Sequence, residues 1–120
     1  MKPNLDFELI IGEAMREGEY SAMNCIPSTM FVTDNNGRLV DSVSEGACGF
    51  AWINIKPGTS KFAKYLKAKE IARKDSYYGG VSIWVHYFGQ SYERKMAYAR
   101  AFATVLQQHD INAQAMGRLD

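Results

Sequence analysis

Cysteine, histidine and proline are scarce in this chain of 120 residues, with two, two and three copies. Cys25 and Cys48 are too few for a disulfide scaffold and lack metal-ligand spacing, so both are expected to be reduced and structural. His86 and His109 are accompanied by no His-x-x-x-His, Cys-x-x-Cys or Asp-x-Asp cluster, so no metal site is expected. A nucleophile with its base is missing as well. Ser91 near His86 comes nearest, but no third group orients the pair, and Ser91 is accounted for as a helix cap. Glu93 with Arg94 can orient a substrate, yet a first-turn Glu is also what a helix dipole prefers. With no site constellation the chain reads as non-enzymatic, and no cofactor is implied. Long apolar runs are absent too. Leu9-Ile10-Ile11, the longest near the start, is flanked by Asp6, Glu8 and Glu13, so neither a signal peptide nor a membrane span is expected. A cytoplasmic protein follows.

What is present is enough apolar content, 47% of residues, for one compact domain spanning 1–120 with a real core. The net charge of +1 conceals a polarity. Residues 1–47 hold three basic and eight acidic side chains, residues 48–120 eleven basic and five acidic. Such asymmetry marks either an anion-binding C-terminal part or acidic and basic surfaces that complement each other within or between protomers.

Along the chain, Phe7, Ile10, Ile11 and Ala14 recur at helical spacing, which predicts a first helix capped by Asn4 or Asp6, reaching about Arg16 and stopped at Gly18. Residues 19–28 read as connecting structure with Pro27 as a breaker. Met30-Phe31-Val32-Thr33 and Arg38 to Val43 bracket Asp34-Asn35-Asn36-Gly37, where Asn-Gly supplies the positive φ of a tight hairpin turn. Glu45-Gly46-Ala47-Cys48-Gly49 is a turn or bulge leading into a strand from Cys48 to Lys56. Thr59 or Ser60 caps the next helix. Six basic side chains and one acid between Lys61 and Lys74 read as its solvated outer face. Asp75-Ser76-Tyr77-Tyr78-Gly79-Gly80 forms a loop with aromatics at its tip, before a strand from Val81 to Phe88. Ser91 caps the longest helix, reaching about Gln108, with Lys95, Tyr98, Ala99, Phe102, Val105, Leu106 and His109 along one side. A last strand runs from Ile111 to Met116.

The strands agree on two faces. Ala51, Ile53 and Ile55 point with Val81, Ile83, Val85, Tyr87, Ile111, Ala113 and Ala115 toward a core. Phe50, Trp52, Asn54 and Lys56 point with Ser82, Trp84, His86, Phe88, Asn112, Gln114 and Met116 the other way. Trp52 and Trp84 also head two similar units, each a strand followed by Gly-x-Ser and a helix. The resulting order, β-α-β-α-β, preceded by a helix and an added hairpin, predicts an α+β sandwich of the split βαβ, ferredoxin-like type. Each Gly-x-Ser is either an ordinary Ser cap, at Ser60 and Ser91, or a helix start that attracts anions beside Lys61, Arg94 and Lys95.

The mixed face is the candidate binding surface. Trp52, Trp84, Phe50 and Phe88 suit stacking on bases, Asn54, His86, Asn112 and Gln114 suit base edges, and Lys56 and Arg118 suit phosphates. A nucleotide or a single-stranded nucleic acid is therefore the expected ligand, although the aromatic signatures of the common RNA-binding sheet are missing. The alternative is a protein interface, in a homo-oligomer or with a host protein, since a large apolar patch of Trp, Phe and Met marks protein contacts. Burial under residues 18–46 is a third fate for the same face. At Cys48-Gly49-Phe50-Ala51-Trp52, Tyr78-Gly79-Gly80-Val81 and Gly89-Gln90-Ser91-Tyr92-Glu93-Arg94-Lys95 the chain resembles small uncharacterised bacteriophage-encoded proteins, over roughly residues 47–120. The resemblance implies a phage protein acting in the cytoplasm of a bacterial host. It favours a binder of host factors, nucleic acid or signals over an enzyme, and assigns no site residue.

Overall fold

A computed structural model describes residues 3–28, 30–43, 46–89 and 91–120, with the backbone alone at 3–5, 30–33 and 40–43. Glu45 and Gln90, expected in the turn before the first Trp strand and in the second Gly-x-Ser, lie outside the described residues.

The first helix, α1 (Pro3–Met23), runs well past Gly18. Gly18 is not a stop because its bare Cα is what allows α1 to lie against the third helix. A Cβ there would stand 2.8 Å from the Tyr98 ring. Ile11, Ala14, Gly18 and Ala22 form the buried stripe of α1, three of its four members small, as close helix packing requires. Tyr98 is itself hemmed by Phe88 and Phe102, each 5.8 Å away between ring centroids. Burial, and then the nearby Tyr87 and Glu19, push its phenol up to about 12. Gly18→Val is therefore expected to lower stability by about 2 kcal/mol through overpacking. Gly12→Ala, whose Cβ meets only the Arg16 side chain at 3.4 Å, is expected to gain up to about 1 kcal/mol from helix propensity. Urea unfolding midpoints of the two variants check this contrast.

The hairpin of β1 (Met30–Thr33) and β2 (Leu39–Val43) forms a two-stranded sheet of its own. The hairpin expected around Asn36-Gly37 is present, and its hydrogen bonds define the turn. Asp34 N–H donates to Arg38 O, Gly37 N–H donates to Asp34 O, and only Gly37 takes positive φ, at 80°. This is the three-residue loop in which a first turn is followed by a left-handed glycine. The Asp34 carboxylate selects it by accepting from the N–H groups of Asn36 and Arg38.

The main sheet holds β3 (Gly49–Ile55), β4 (Arg73–Lys74), β5 (Val81–Trp84) and β6 (Ala113–Leu119), in the order β4-β5-β3-β6 with all pairs antiparallel. Two helices join them: α2 (Lys61–Ala68) between β3 and β4, and α3 (Tyr92–Gln108) between β5 and β6. The protein is thus α+β with an N-terminal helix, and the expected β-α-β-α-β run gains a strand. The Lys-rich stretch does not stay helical to Lys74. It ends at Ala68 because Glu70 turns to φ 60°, with Glu70 N–H bonded to Lys67 O and Ile71 N–H to Leu66 O. This Schellman motif releases the chain into β4. Asp110 closes α3 in the same way at φ 61°.

The core lies between the sheet's aliphatic face and the helices, with Ile53, Ile55, Val81, Leu66, Phe102 and Leu106 fully buried. α3 lies on β3 and β6, α1 lies along α3, and the Phe7 ring of α1 reaches Phe62 and Tyr65 of α2. All helices therefore leave the aromatic face of the sheet uncovered. The described parts of residues 18–46 form the end of α1, the connection to the hairpin and the hairpin, a sheet separate from the main one.

The second Trp strand is shorter than expected. After Trp84 the alternation fails: Phe88 takes φ 72° and packs toward Tyr98 on the core side, while Tyr87 is half exposed. Phe88 thus leaves the aromatic face for the opposite layer. Cys25 and Cys48 are free thiols, but Cys48 is exposed, so burial does not account for it. No described helix is long and apolar enough to cross a membrane.

Candidate binding site on the open sheet face

Three rows of side chains cross the open face, set by strand register. Arg73, Ser82, Asn54 and Gln114 stand side by side, then Trp84, Trp52 and Met116, then Phe50 and Arg118. Val85 N–H donates to Ala51 O, which makes Trp52 and Trp84 a non-hydrogen-bonded pair, the geometry with the closer side chains. Their rings stack at 4.6 Å and 26°. The contacts continue outward, from Trp84 to Phe50 at 6.3 Å and from Trp52 to Tyr78 at 6.0 Å, and then from Tyr78 to Tyr77 at 4.6 Å. A ribbon of five aromatic rings results. Trp52 is only 5% exposed, with Trp84 and Tyr78 against it, whereas Trp84 keeps 41% of its surface open. Among the described buried side-chain polar atoms, Trp52 Nε1 is the one without a hydrogen-bond partner.

The tyrosines are held by a polar clamp. Asp75 Oδ1 accepts from the N–H groups of Tyr77 and Tyr78 at 3.0 and 2.8 Å, and Oδ2 accepts from Ser82 Oγ at 2.7 Å. Asn54 Nδ2 donates to Gly79 O at 2.9 Å and approaches Asp75 Oδ2 at 3.4 Å. Burial alone raises the Asp75 pKa, but the hydrogen bonds from Tyr78 N–H, Ser82, Tyr77 N–H and Asn54 together outweigh it and hold the carboxyl below its usual range. Gly79 and Gly80, at φ 85° and 67°, let the loop return to β5. A Cβ on Gly80 would collide with Ile55 O.

Between this loop and the ribbon lies a depression of about 650 Å³ lined by Trp52, Trp84, Tyr77, Tyr78, Ser82 and Asp75, with Arg73, Lys74 and Arg118 around it. The Arg118 guanidinium also stands 5.4 Å from the centre of the Phe50 ring. Aromatic surface ringed by cations suits a planar group that carries negative charge.

Of the residues singled out from sequence, Trp52, Trp84 and Arg118 meet at this depression. Asn54 is 4% exposed and spent on the loop, so it positions Tyr78 and does not face a ligand. His86 is exposed and borders a neighbouring recess on the other side of Trp84. Lys56 is exposed and lies against Gly79 and Gly80, outside the depression. Asn112 and Gln114 are exposed and do not line it either. Ser60 and Ser91 are caps: their Oγ atoms accept from Ala63 N–H and Arg94 N–H at 3.1 and 3.3 Å. Arg94 Nη1 donates to Ala22 O, which serves the end of α1, a helix with no basic residue in its last turn. Lys95 is 6% exposed and donates to Gly49 O, its Nζ 5.7 Å from the Phe50 ring centre. The helix starts therefore contribute to the fold and not to the site. Glu93 likewise accepts from Ser28 N–H at 2.7 Å.

Arg73, Lys74 and Asp75 were missed by sequence reasoning. Their signal was Asp75 followed by paired tyrosines and paired glycines, a hairpin chemistry that brings a basic dipeptide alongside the sheet. No group of three or more metal-ligating side chains occurs among the described residues. Comparison with protein families, with curated proteins and with solved structures finds no match for the chain.

Proposed function

We propose that this is a binding protein that holds a nucleotide or single-stranded nucleic acid on its open sheet face, without catalysing a reaction. One observation carries the reading: the stacked Trp52 and Trp84 border a depression flanked by Arg73, Lys74 and Arg118. Stacking is sequence-tolerant because every base has a π-face, and the cations meet the phosphates. The order β4-β5-β3-β6, in which each helical crossover passes over one intervening strand, supports a split βαβ, ferredoxin-like assignment for the sheet and α2 and α3. A phage protein working in the cytoplasm of a bacterial host is the setting that accords with this role.

Fluorescence titration with a short oligothymidylate at several salt concentrations tests the reading. If all three cations neutralise phosphates, log K is expected to fall against log salt with a slope of about −2, at roughly −0.7 per phosphate on a single strand. Salt-independent binding would count against nucleic acid.

A second reading is favoured by the exposure of Tyr77, Tyr78 and Trp84, at 85%, 42% and 41%. Contiguous exposed aromatics of this kind also serve as protein interfaces, with a second copy of the chain or with a host protein.

A further inference from the structure

Trp84 has one ring face against Trp52 of β3. Part of its remaining surface borders the β4 side of the sheet, since β5 stands between β3 and β4. There β4 pairs with Val81 and Ser82 only, so no strand residue stands beside Trp84 on that side. The space left is a recess of about 360 Å³ bordered by Trp84, Arg73, His86, Glu70, Ser82 and Ile71. It is separate from the tyrosine-walled depression, but Arg73, Ser82 and Trp84 line both.

Glu70 stands in the left-handed region, at the position after a helix that glycine occupies at no steric cost. A side chain kept at such a backbone position is a pointer to function when it faces a site. Asp110 has the same geometry after α3 but lines neither the recess nor the depression. It serves as an internal control for the backbone effect alone.

We infer that the recess is a second base subsite, so that the chain holds two consecutive nucleotides of a single strand. This rests on the nucleic-acid reading above. A base that carries an exocyclic amino group stacks on the outer face of Trp84, and that amino group donates to the Glu70 carboxylate. The phosphate between the two nucleotides meets Arg73, which borders both spaces. Cytosine, adenine and guanine carry the amino group; thymine presents an oxygen at the equivalent edge of its ring and leaves Glu70 without a donor. His86, which also borders the recess, supplies a further ring edge for the sugar or phosphate.

The test titrates the full chain, by tryptophan fluorescence, with tetradeoxycytidylate, tetrathymidylate and deoxycytidine monophosphate. Tetradeoxycytidylate is expected to bind about tenfold more tightly than tetrathymidylate, the discrimination of one good side-chain pairing to a base. It is also expected to bind well above the monophosphate. Glu70→Gly relieves the backbone and keeps the fold, and is expected to bring the two tetranucleotides to equal affinity. Asp110→Gly gives the same backbone relief and is expected to leave the preference intact. Equal affinity of the two tetranucleotides for the native chain, or a preference that survives Glu70→Gly, overturns the second subsite while the sheet-face reading stands. If none of the three probes binds, both readings fall.

Discussion

Replacing Trp84 by alanine is expected to weaken binding of a single-stranded oligonucleotide by about tenfold to a hundredfold. The estimate follows from stacking worth about 1–3 kcal/mol per base, and Trp84 borders both the depression and its neighbouring recess. The choice of Trp84 over Trp52 matters. Trp84 is 41% exposed and its removal costs mainly the stacking contact with Trp52, whereas Trp52 is 5% exposed and its truncation costs about 3–5 kcal/mol of stability. Trp84→Ala thus separates binding from folding, with calorimetric titration for affinity and thermal unfolding as the control. The same variant discriminates the interface reading. Should its solution mass halve while oligonucleotide affinity stays unchanged, the aromatic face is a protein contact and not a nucleic-acid site.

Asp75→Ala is expected to release the tyrosine loop. The carboxylate accepts from two backbone N–H groups and the Ser82 hydroxyl and lies near the Asn54 amide. Each buried donor left unpaired costs about 1–3 kcal/mol. Tyr77 and Tyr78 are exposed and find water once freed, so the net loss is expected at about 2–3 kcal/mol, read as a lower urea midpoint. Trp52, no longer shielded by Tyr78, is expected to show red-shifted emission. Acid acts on the same clamp. Because the native pKa of Asp75 is depressed, its stabilisation is complete above the unfolded value near 3.8 and disappears as pH falls through the native value below it. An acid titration of Trp emission in the native chain, compared with Asp75→Ala, checks this: the variant is expected to lack the transition.

Much of the sheet was legible because period-two alternation needs only local sequence. Ala51, Ile53 and Ile55 against Phe50, Trp52 and Asn54 carry enough contrast to assign faces, and Ser60 and Ser91 carry their capping role in their own chemistry. What escaped depends on partners distant in sequence. Gly18 reads as a helix breaker until Tyr98 is known to lie on it. Arg94 and Lys95 read as anion ligands until Ala22 O and Gly49 O are found within their reach. β4 is two residues long, too short for any periodicity, and the end of α2 rests on a glutamate where sequence rules look for glycine. The site inherits this division. Its aromatic half was visible in the alternation, while Arg73 and Lys74 are brought to it by a hairpin that Asp75 organises.

The elongated outline also governs how this molecule moves through solution. With extents of 62 × 29 × 20 Å and a Cα radius of gyration of 16.7 Å, the chain is longer than a compact domain of its size, for which about 13.6 Å is usual. Friction follows shape and not mass, so a single copy will elute from a sizing column ahead of spherical standards of 13.5 kDa, in the region where a compact assembly would run. Light scattering or sedimentation equilibrium, which weigh particles independently of drag, are therefore the measurements that separate one elongated copy from two.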